Sequence, residues 1–182
     1  DDSYYVKEPI KHGKFTITDD HPEKDYLTVK EIFRYSSNIG TAQIAQKIGK
    51  KTQRKYLRKF GLLDRLDSDF SSLGTPIYPK RWREINLITI SYGHGIATTP
   101  LHIASSVSAM VNKGIMYNPS FAKLKKQPKG QKVIKEETSD LIRQMLRDVA
   151  ENGTGRNANI KGYKVGGKTG TAEKAEYGSY NK

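Results

Sequence analysis

The sequence predicts a mixed α/β domain, on three observations. A capped amphipathic helix begins near Thr28, further apolar stripes at helical spacing recur along the chain, and short alternating stretches occur near both ends. Thr28 and Glu31 have the spacing of a capping box, in which the hydroxyl and the carboxylate each satisfy a free N–H at a helix start. Leu27 and Ile32 occupy the positions of a hydrophobic staple, and this helix should run to about Ser36. A second apolar face follows (Ile39, Ile44, Ala45, Ile48) and ends at Gly49. Thr52 to Phe60 reads as a short third helix stopped by Gly61, a residue suited to a left-handed cap. Residues 62–82 read as loop, carrying Gly74, Pro76 and Pro79. Thr99-Pro100 looks like an N-cap with proline in the first turn, and Leu101, Ala104, Val107, Met110 and Val111 form the stripe of that helix up to Gly114. Another helix is expected from about Glu136 to Glu151, with Leu141, Ile142, Met145, Leu146 and Val149 on one face, ended by Asn152-Gly153-Thr154-Gly155. The strand signals are weaker. Phe15 and Ile17 alternate in a polar, Tyr-rich opening, Asp19-Asp20-His21-Pro22 reads as a turn, and Tyr163 and Val165 alternate toward Lys168.

Bulk properties narrow the classes. A chain of 182 residues can bury one sizeable core, so it forms one domain or part of one. Thirty-two Lys and Arg against nineteen Asp and Glu give +13, enough to draw nucleic acid, anionic lipid or a carboxylate-rich polymer. The basic residues are scattered, however, and the two dense runs, Lys47 to Lys59 and Lys123 to Lys132, read as solvated faces. With no cysteine there is neither a disulfide framework nor a thiolate metal site, and the four histidines lack metal-ligand spacing. No apolar run approaches the ~20 residues of a membrane span, so any anchor is expected outside this chain. Trp82, between Arg81 and Arg83, reads as a core or loop anchor, and His94, between two glycines, as a loop residue.

Two chemistries compete for residues 162–169, Gly-Tyr-Lys-Val-Gly-Gly-Lys-Thr. They satisfy G-x-x-x-x-G-K-[ST], the phosphate-binding loop. That loop needs a buried apolar strand before it and a helix starting at its Lys-Thr. Here Asn157-Ala158-Asn159-Ile160-Lys161 precedes it, too polar for a central strand, and Gly170 and Thr171 are poor helix starters. The echo of a dinucleotide fingerprint at residues 153–158 follows a helix instead of a strand, which removes its meaning. The competing reading is K-T-G, Lys168-Thr169-Gly170. Serine acyl transfer of one type uses S-x-x-K, S-x-N and K-T-G in that order, because a nucleophile needs a neighbouring base and polar groups that move its proton. Ser36-Ser37-Asn38 supplies the S-x-N at the end of a capped helix, some 130 residues before the K-T-G.

Beyond these motifs, four stretches carry a resemblance: residues 27–40 (Leu-Thr-Val-Lys-Glu-Ile-Phe-Arg-Tyr-Ser-Ser-Asn-Ile-Gly), 56–61 (Tyr-Leu-Arg-Lys-Phe-Gly), 91–104 (Ser-Tyr-Gly-His-Gly-Ile-Ala-Thr-Thr-Pro-Leu-His-Ile-Ala) and 162–174 (Gly-Tyr-Lys-Val-Gly-Gly-Lys-Thr-Gly-Thr-Ala-Glu-Lys). In order and content the chain resembles the transpeptidase domain of class B penicillin-binding proteins, most of all the FtsI-type cell-division enzymes.

The resemblance implies an α/β (α+β) fold of the penicillin-binding transpeptidase and serine β-lactamase kind. Helices would pack on an antiparallel sheet, with Lys168 to Thr171 on a strand bordering the cleft. It implies catalytic roles for Ser36, Asn38 and Lys168, and substrate-binding roles for Thr169, Gly170 and Thr171, with no metal and no cofactor. Peptidoglycan stem peptides ending in D-Ala-D-Ala would be donors, a diamino-acid amine the acceptor, β-lactams the inhibitors, and division membrane proteins the partners. The setting would be the periplasmic side of a bacterial inner membrane. Both S-x-x-K occurrences, Ser120 to Lys123 and Ser179 to Lys182, look like decoys, since neither follows a helix-start signal or precedes the S-x-N. The family's nucleophile lies farther upstream of S-x-N than the thirty-five residues before Ser36, and its fold continues past K-T-G. Residues 1–182 are therefore expected to be a partial domain, cut at both ends and without its nucleophile. A non-catalytic penicillin-recognising module and a basic nucleic-acid-binding protein are the alternatives.

Overall fold

The computed structural model describes all residues except Asp1, Lys14, His21, Pro22, Ser71, Gln127, Thr171, Ala172, Glu173, Tyr177, Gly178 and Lys182, with backbone alone at 174–176 and 179–181. The opening segment folds into β1 (Ser3–Tyr5), β2 (Ile10–His12), β3 (Phe15–Ile17) and β4 (Tyr26–Thr28). β1 pairs with β4 and β2 with β3, both antiparallel. The alternation at Phe15 and Ile17 is thus a real strand, with Ile17 buried and Phe15 exposed. Half of the turn expected at residues 19–22 lies outside the described residues.

Thr28 then starts α1 (Val29–Tyr35) with the anticipated capping box: its hydroxyl accepts from the Glu31 N–H, and its own N–H donates to the Glu31 carboxylate. The staple residues Leu27 and Ile32 enter one core cluster with Val6, Ile17, Ile39, Ala42 and Ile88. The next helix, α2 (Asn38–Lys59), joins the two helices expected around Gly49. Gly49 breaks it into two axes with φ 77° and ψ 162°, a conformation that a Cβ disfavours. Ile48, expected on the apolar face, is exposed beside that kink. Gly61 follows the C-cap Phe60 with φ 71°, the left-handed cap expected of it.

The loop of residues 62–82 is anchored by Trp82. Its indole N–H donates to Gln53 Oε1 at 3.0 Å, and it clusters with Leu63 and Ile90. α3 (Glu84–Ser91) has no counterpart among the sequence expectations; its start is capped from within, by Asn86 accepting the Arg83 N–H at 2.9 Å. α4 (Pro100–Val111) has the predicted Thr99 cap and N-terminal proline. Its buried face differs from the predicted stripe: His102, Ser106 and Ala109 are covered, whereas Ala104 and Val107 are exposed. The reason is polar. His102 bonds Thr99 Oγ1 at 2.7 Å and meets the Asp64 carbonyl at 3.3 Å, so the helix turns that edge inward.

β5 (Ile115–Met116) and β6 (Gln131–Lys132) form a third antiparallel ribbon before α5 (Glu136–Asn152). α5 buries Ser139, Val149 and Ala150, while Leu141 stays exposed, so the expected stripe holds only in its second half. Beyond α5 come a short 3₁₀ turn at Arg156–Ala158 and the antiparallel pair of β7 (Lys174–Glu176) and β8 (Ser179–Asn181). The antiparallel pairing of the described residues is distributed over four two-stranded ribbons flanked by helices. No described helix is long and apolar enough to cross a membrane.

Candidate active site

The S-x-N triplet sits at the junction of two helices. Ser36 is the C-cap of α1, in the left-handed region at φ 60° and ψ 40°, with its N–H donating to the Ile32 carbonyl. Ser37 is the N-cap of α2, and its hydroxyl accepts the Gly40 N–H at 2.9 Å. Asn38 opens α2, so the left-handed cap at this junction is Ser36. The junction is held from outside by residues 18 and 19. Asp19 accepts the Ser37 hydroxyl at 2.6 Å and the Ile39 N–H at 2.9 Å. The Asn38 amide donates to the Thr18 carbonyl at 3.0 Å. A carboxylate at a helix N-terminus both fills free N–H groups and meets the positive end of the dipole.

On the opposite side, Lys168 lies in an extended stretch that follows α5. Alternation predicted a strand there; the described residues 164–170 pair with no strand, because their backbone is engaged by the helix. Gly167 N–H donates to the Leu146 carbonyl at 3.1 Å, and Arg147 donates to the Val165 carbonyl at 2.7 Å. Arg147 is itself fixed by Glu151 at 2.7 Å and Asn159 at 3.0 Å.

These two sides meet. Lys168 Nζ donates to Ser36 Oγ at 2.7 Å, across 132 residues of chain. The same ammonium reaches the Thr169 carbonyl at 3.2 Å and Thr169 Oγ1 at 3.3 Å. Among the described residues its three donors therefore have three oxygen acceptors, none of them a carboxylate. Loss of hydration on packing lowers the Lys168 pKa from its ordinary 10.5. Thr169 Oγ1 also lies 2.8 Å from Thr154 Oγ1. Among the described residues other than its chain neighbours, nothing lies within 4 Å of where a Cβ on Gly170 would be, so the backbone there is open to close approach. Thr171 lies outside the described residues.

α5 carries both sides. Arg34, two residues before Ser36, pairs with Asp148 at 2.6 Å, and its carbonyl accepts the Thr154 N–H at 3.4 Å. Gly153 lets α1 come this close, since a Cβ there would lie 2.5 Å from the Arg34 carbonyl oxygen. Asp19, Arg34, Arg147, Asp148 and Thr154 have no site role in the sequence reading. Each acts over a long chain separation, and only the Gly153-Thr154-Gly155 helix stop marked any of their neighbourhood in advance.

The remaining candidates fall elsewhere. Ser120 donates to Asp69 at 2.8 Å in an exposed loop and heads no helix. The N–H groups of Phe121 and Ala122, with that hydroxyl, hold the Asp69 carboxyl down at about 2. His94 lies in the loop after α3, edge-on to Tyr92. Among the described residues no group of three His, Cys, Asp or Glu could hold a metal ion.

The sequence model of the penicillin binding protein transpeptidase domain matches residues 1–182. The chain belongs to this family. Its relatives agree. It is 35% identical over 177 residues to a "Probable peptidoglycan D,D-transpeptidase FtsI" of Caulobacter vibrioides, covering 94% of this chain and 30% of that protein. It is 40% identical over 167 residues to "Stage V sporulation protein D" of Bacillus subtilis, covering 84% of this chain and 26% of the relative. The chain thus spans less than a third of the length of these two relatives. Penicillin binding protein 3 of Mycobacterium tuberculosis, solved in complex with aztreonam, superposes with a TM-score of 0.89 at 27% identity, over all of this chain and 45% of the other. The transpeptidase domain of Burkholderia pseudomallei penicillin-binding protein 3 gives 0.88 at 30% identity, over 96% and 54%. The expected penicillin-binding transpeptidase fold is therefore the fold of this transpeptidase-domain chain.

Proposed function

We propose that these residues form part of the acyl-transfer cleft of a peptidoglycan D,D-transpeptidase of the FtsI type. One observation carries this reading: the 2.7 Å hydrogen bond from Lys168 to Ser36, which joins the S-x-N and K-T-G elements into one polar surface. A serine supplied by an S-x-x-K element attacks the carbonyl of the D-Ala-D-Ala bond. A serine O–C bond forms, the C–N bond breaks, and the serine proton ends on the departing D-alanine amine. Ser36 relays that proton between the S-x-x-K lysine, Lys168 and the amine, a kind of step worth about 10²–10⁴-fold. The acyl group then passes to an amine on a neighbouring stem peptide.

Asn38 hydrogen-bonds the substrate amide, and its Nδ2 anchor on Thr18 supports a fixed orientation for the remaining amide oxygen. Lys168 keeps the cleft positive for a carboxylate, and the hydroxyls of Thr169 and Thr171 grip it. Gly170 leaves the strand-like backbone open, as peptide recognition by β-addition requires. The Thr171 N–H contributes to the oxyanion hole, where loss of one donor costs about 10²–10³ in rate. β-Lactams occupy the same cleft as substrate mimics. No step calls for a cofactor.

Residues 1–182 are part of a larger transpeptidase domain, with the attacking serine outside them. The bonded, loop-borne Ser120 and the strand-borne Ser179 support this, since neither heads a helix. The full protein works in the bacterial cell envelope, on the periplasmic side of the inner membrane, with division membrane proteins as partners. Labelling with a fluorescent penicillin tests the reading. The full-length protein should acquire a denaturation-resistant label, its Ser36→Ala variant should acquire it at least 10²-fold more slowly, and residues 1–182 alone should acquire none. An unlabelled full-length protein, or label on residues 1–182 alone, overturns it.

A further inference from the structure

Thr154 touches both halves of the cleft. Its hydroxyl lies 2.8 Å from Thr169 Oγ1, and its N–H donates to the Arg34 carbonyl at 3.4 Å, two residues before Ser36. With Lys168 on Ser36 and on Thr169, the contacts close a ring that runs Ser36, Lys168, Thr169, Thr154, Arg34 and back to Ser36 along the chain.

The hydroxyl of a threonine has one proton to give and two lone pairs to receive. Thr169 Oγ1 already receives from the Lys168 ammonium at 3.3 Å. If the Thr154 hydroxyl donates across the 2.8 Å contact, both lone pairs of Thr169 are filled. Its single proton is then left to point out of the ring, toward whatever acceptor enters the cleft. We infer that Thr154 is a positioning residue for carboxylate recognition: it sets the hydroxyl of Thr169 as a donor aimed at the free carboxylate of the stem peptide or β-lactam. This rests on the transpeptidase reading above and adds to it a residue outside the three signature elements.

The ring also explains why Thr154 is held so firmly. Gly153 brings the backbone of the turn against Arg34, and Gly155 returns its N–H to the Val149 carbonyl at 3.1 Å, so the threonine between them has little freedom. A donor that is fixed before the ligand arrives loses no entropy on binding.

The test uses the full-length protein and two probes, a penicillin and its methyl ester, with pre-acylation binding separated from the acylation step by concentration dependence. Thr154→Val removes the hydroxyl at nearly constant volume. It should weaken initial binding of the acid about tenfold, because the Thr169 hydrogen bond to a charged group is no longer aimed, while changing the acylation constant little. Binding of the ester should not change, and Thr154→Ser should restore most of the acid binding. Should the valine variant misfold by circular dichroism, Thr154→Ala makes the same comparison. Equal losses for acid and ester, or no loss for either, overturns the assignment. A wild-type protein that neither probe acylates refutes the transpeptidase reading itself, and the assignment falls with it.

Discussion

Arg34 and Asp148 join the last turn of α1 to the C-terminal part of α5 through a 2.6 Å ion pair, with both side chains largely covered. Both sides of the candidate cleft depend on that junction, because the Lys168 stretch is bonded to the same helix at the two residues before Asp148, Leu146 and Arg147.

Removing one partner should therefore hurt twice. Arg34→Ala leaves Asp148 with the Asn152 amide, which donates to it at 2.9 Å, and should cost about 1–3 kcal/mol, between the values for exposed and buried pairs. Urea unfolding measures it. The Arg34 hydrogen bond holds the Asp148 carboxyl below its ordinary 3.8. A carboxyl lowered on folding stabilises the fold above its ordinary pKa and loses that contribution as pH falls through the folded value. The cost of Arg34→Ala should accordingly be full near pH 7 and shrink at strongly acidic pH; a cost that grows on acidification contradicts the pairing.

Ser36 holds a left-handed conformation that glycine adopts freely and other residues adopt at a cost. Ser36→Gly should stabilise the fold by about 1 kcal/mol, seen as a higher midpoint in denaturant, while removing the oxygen that Lys168 meets. Stability and penicillin labelling should move in opposite directions, as strain kept for function requires. A glycine variant that is less stable than wild type would falsify the strain argument.

Gly40 faces Ile32 across the α1–α2 junction, and a Cβ there would lie 2.5 Å from Ile32 Cγ1. Gly40→Ala should cost about 1–3 kcal/mol through overpacking. Adding Ile32→Val removes one of the clashing carbons, so the double variant should be less destabilised than the sum of the singles. Strict additivity in a double-mutant cycle would contradict the contact.

Lys168 should titrate below the ordinary 10.5 of a free lysine, because packing removes hydration from the charged form. Here the folded pKa lies below the unfolded one, so the contribution to stability is absent at neutral pH. It grows as pH rises through the lowered value and is complete above 10.5. Carbon-detected NMR of the Lys168 side chain reads the midpoint directly, and a value at or above 10.5 would contradict the desolvated environment.

The elements that sequence reveals are the ones made by neighbours in the chain. The Thr28–Glu31 box, the Thr99-Pro100 start and the Gly61 cap each involve residues within a turn of one another, so their chemistry can be read from spacing alone. α3 escapes notice because its cap comes from Asn86, inside the helix, and its body is rich in β-branched residues. The alternation at Tyr163 and Val165 suggests a strand, but the acceptors and donors of that stretch belong to α5, which no local pattern reveals. Of the candidate site, the motif residues Ser36, Asn38, Lys168, Thr169 and Gly170 can be picked out by order and spacing. Asp19, Arg34, Asp148 and Thr154 cannot, because what they do is defined by separations as long as the 114 residues between Arg34 and Asp148.

The shared footing of both cleft walls on α5 has an evolutionary consequence. On the transpeptidase reading proposed above, selection for escape from a β-lactam need not touch S-x-N or K-T-G, whose residues that reading also assigns to the native reaction. A change in the packing of α5 near Leu146 or Val149 would move one wall against the other and alter the width of the opening. A rigid bicyclic drug tolerates such a change less well than a flexible peptide does. Drift along this one helix offers the protein a way to retune what it admits while its reactive groups stay as they are.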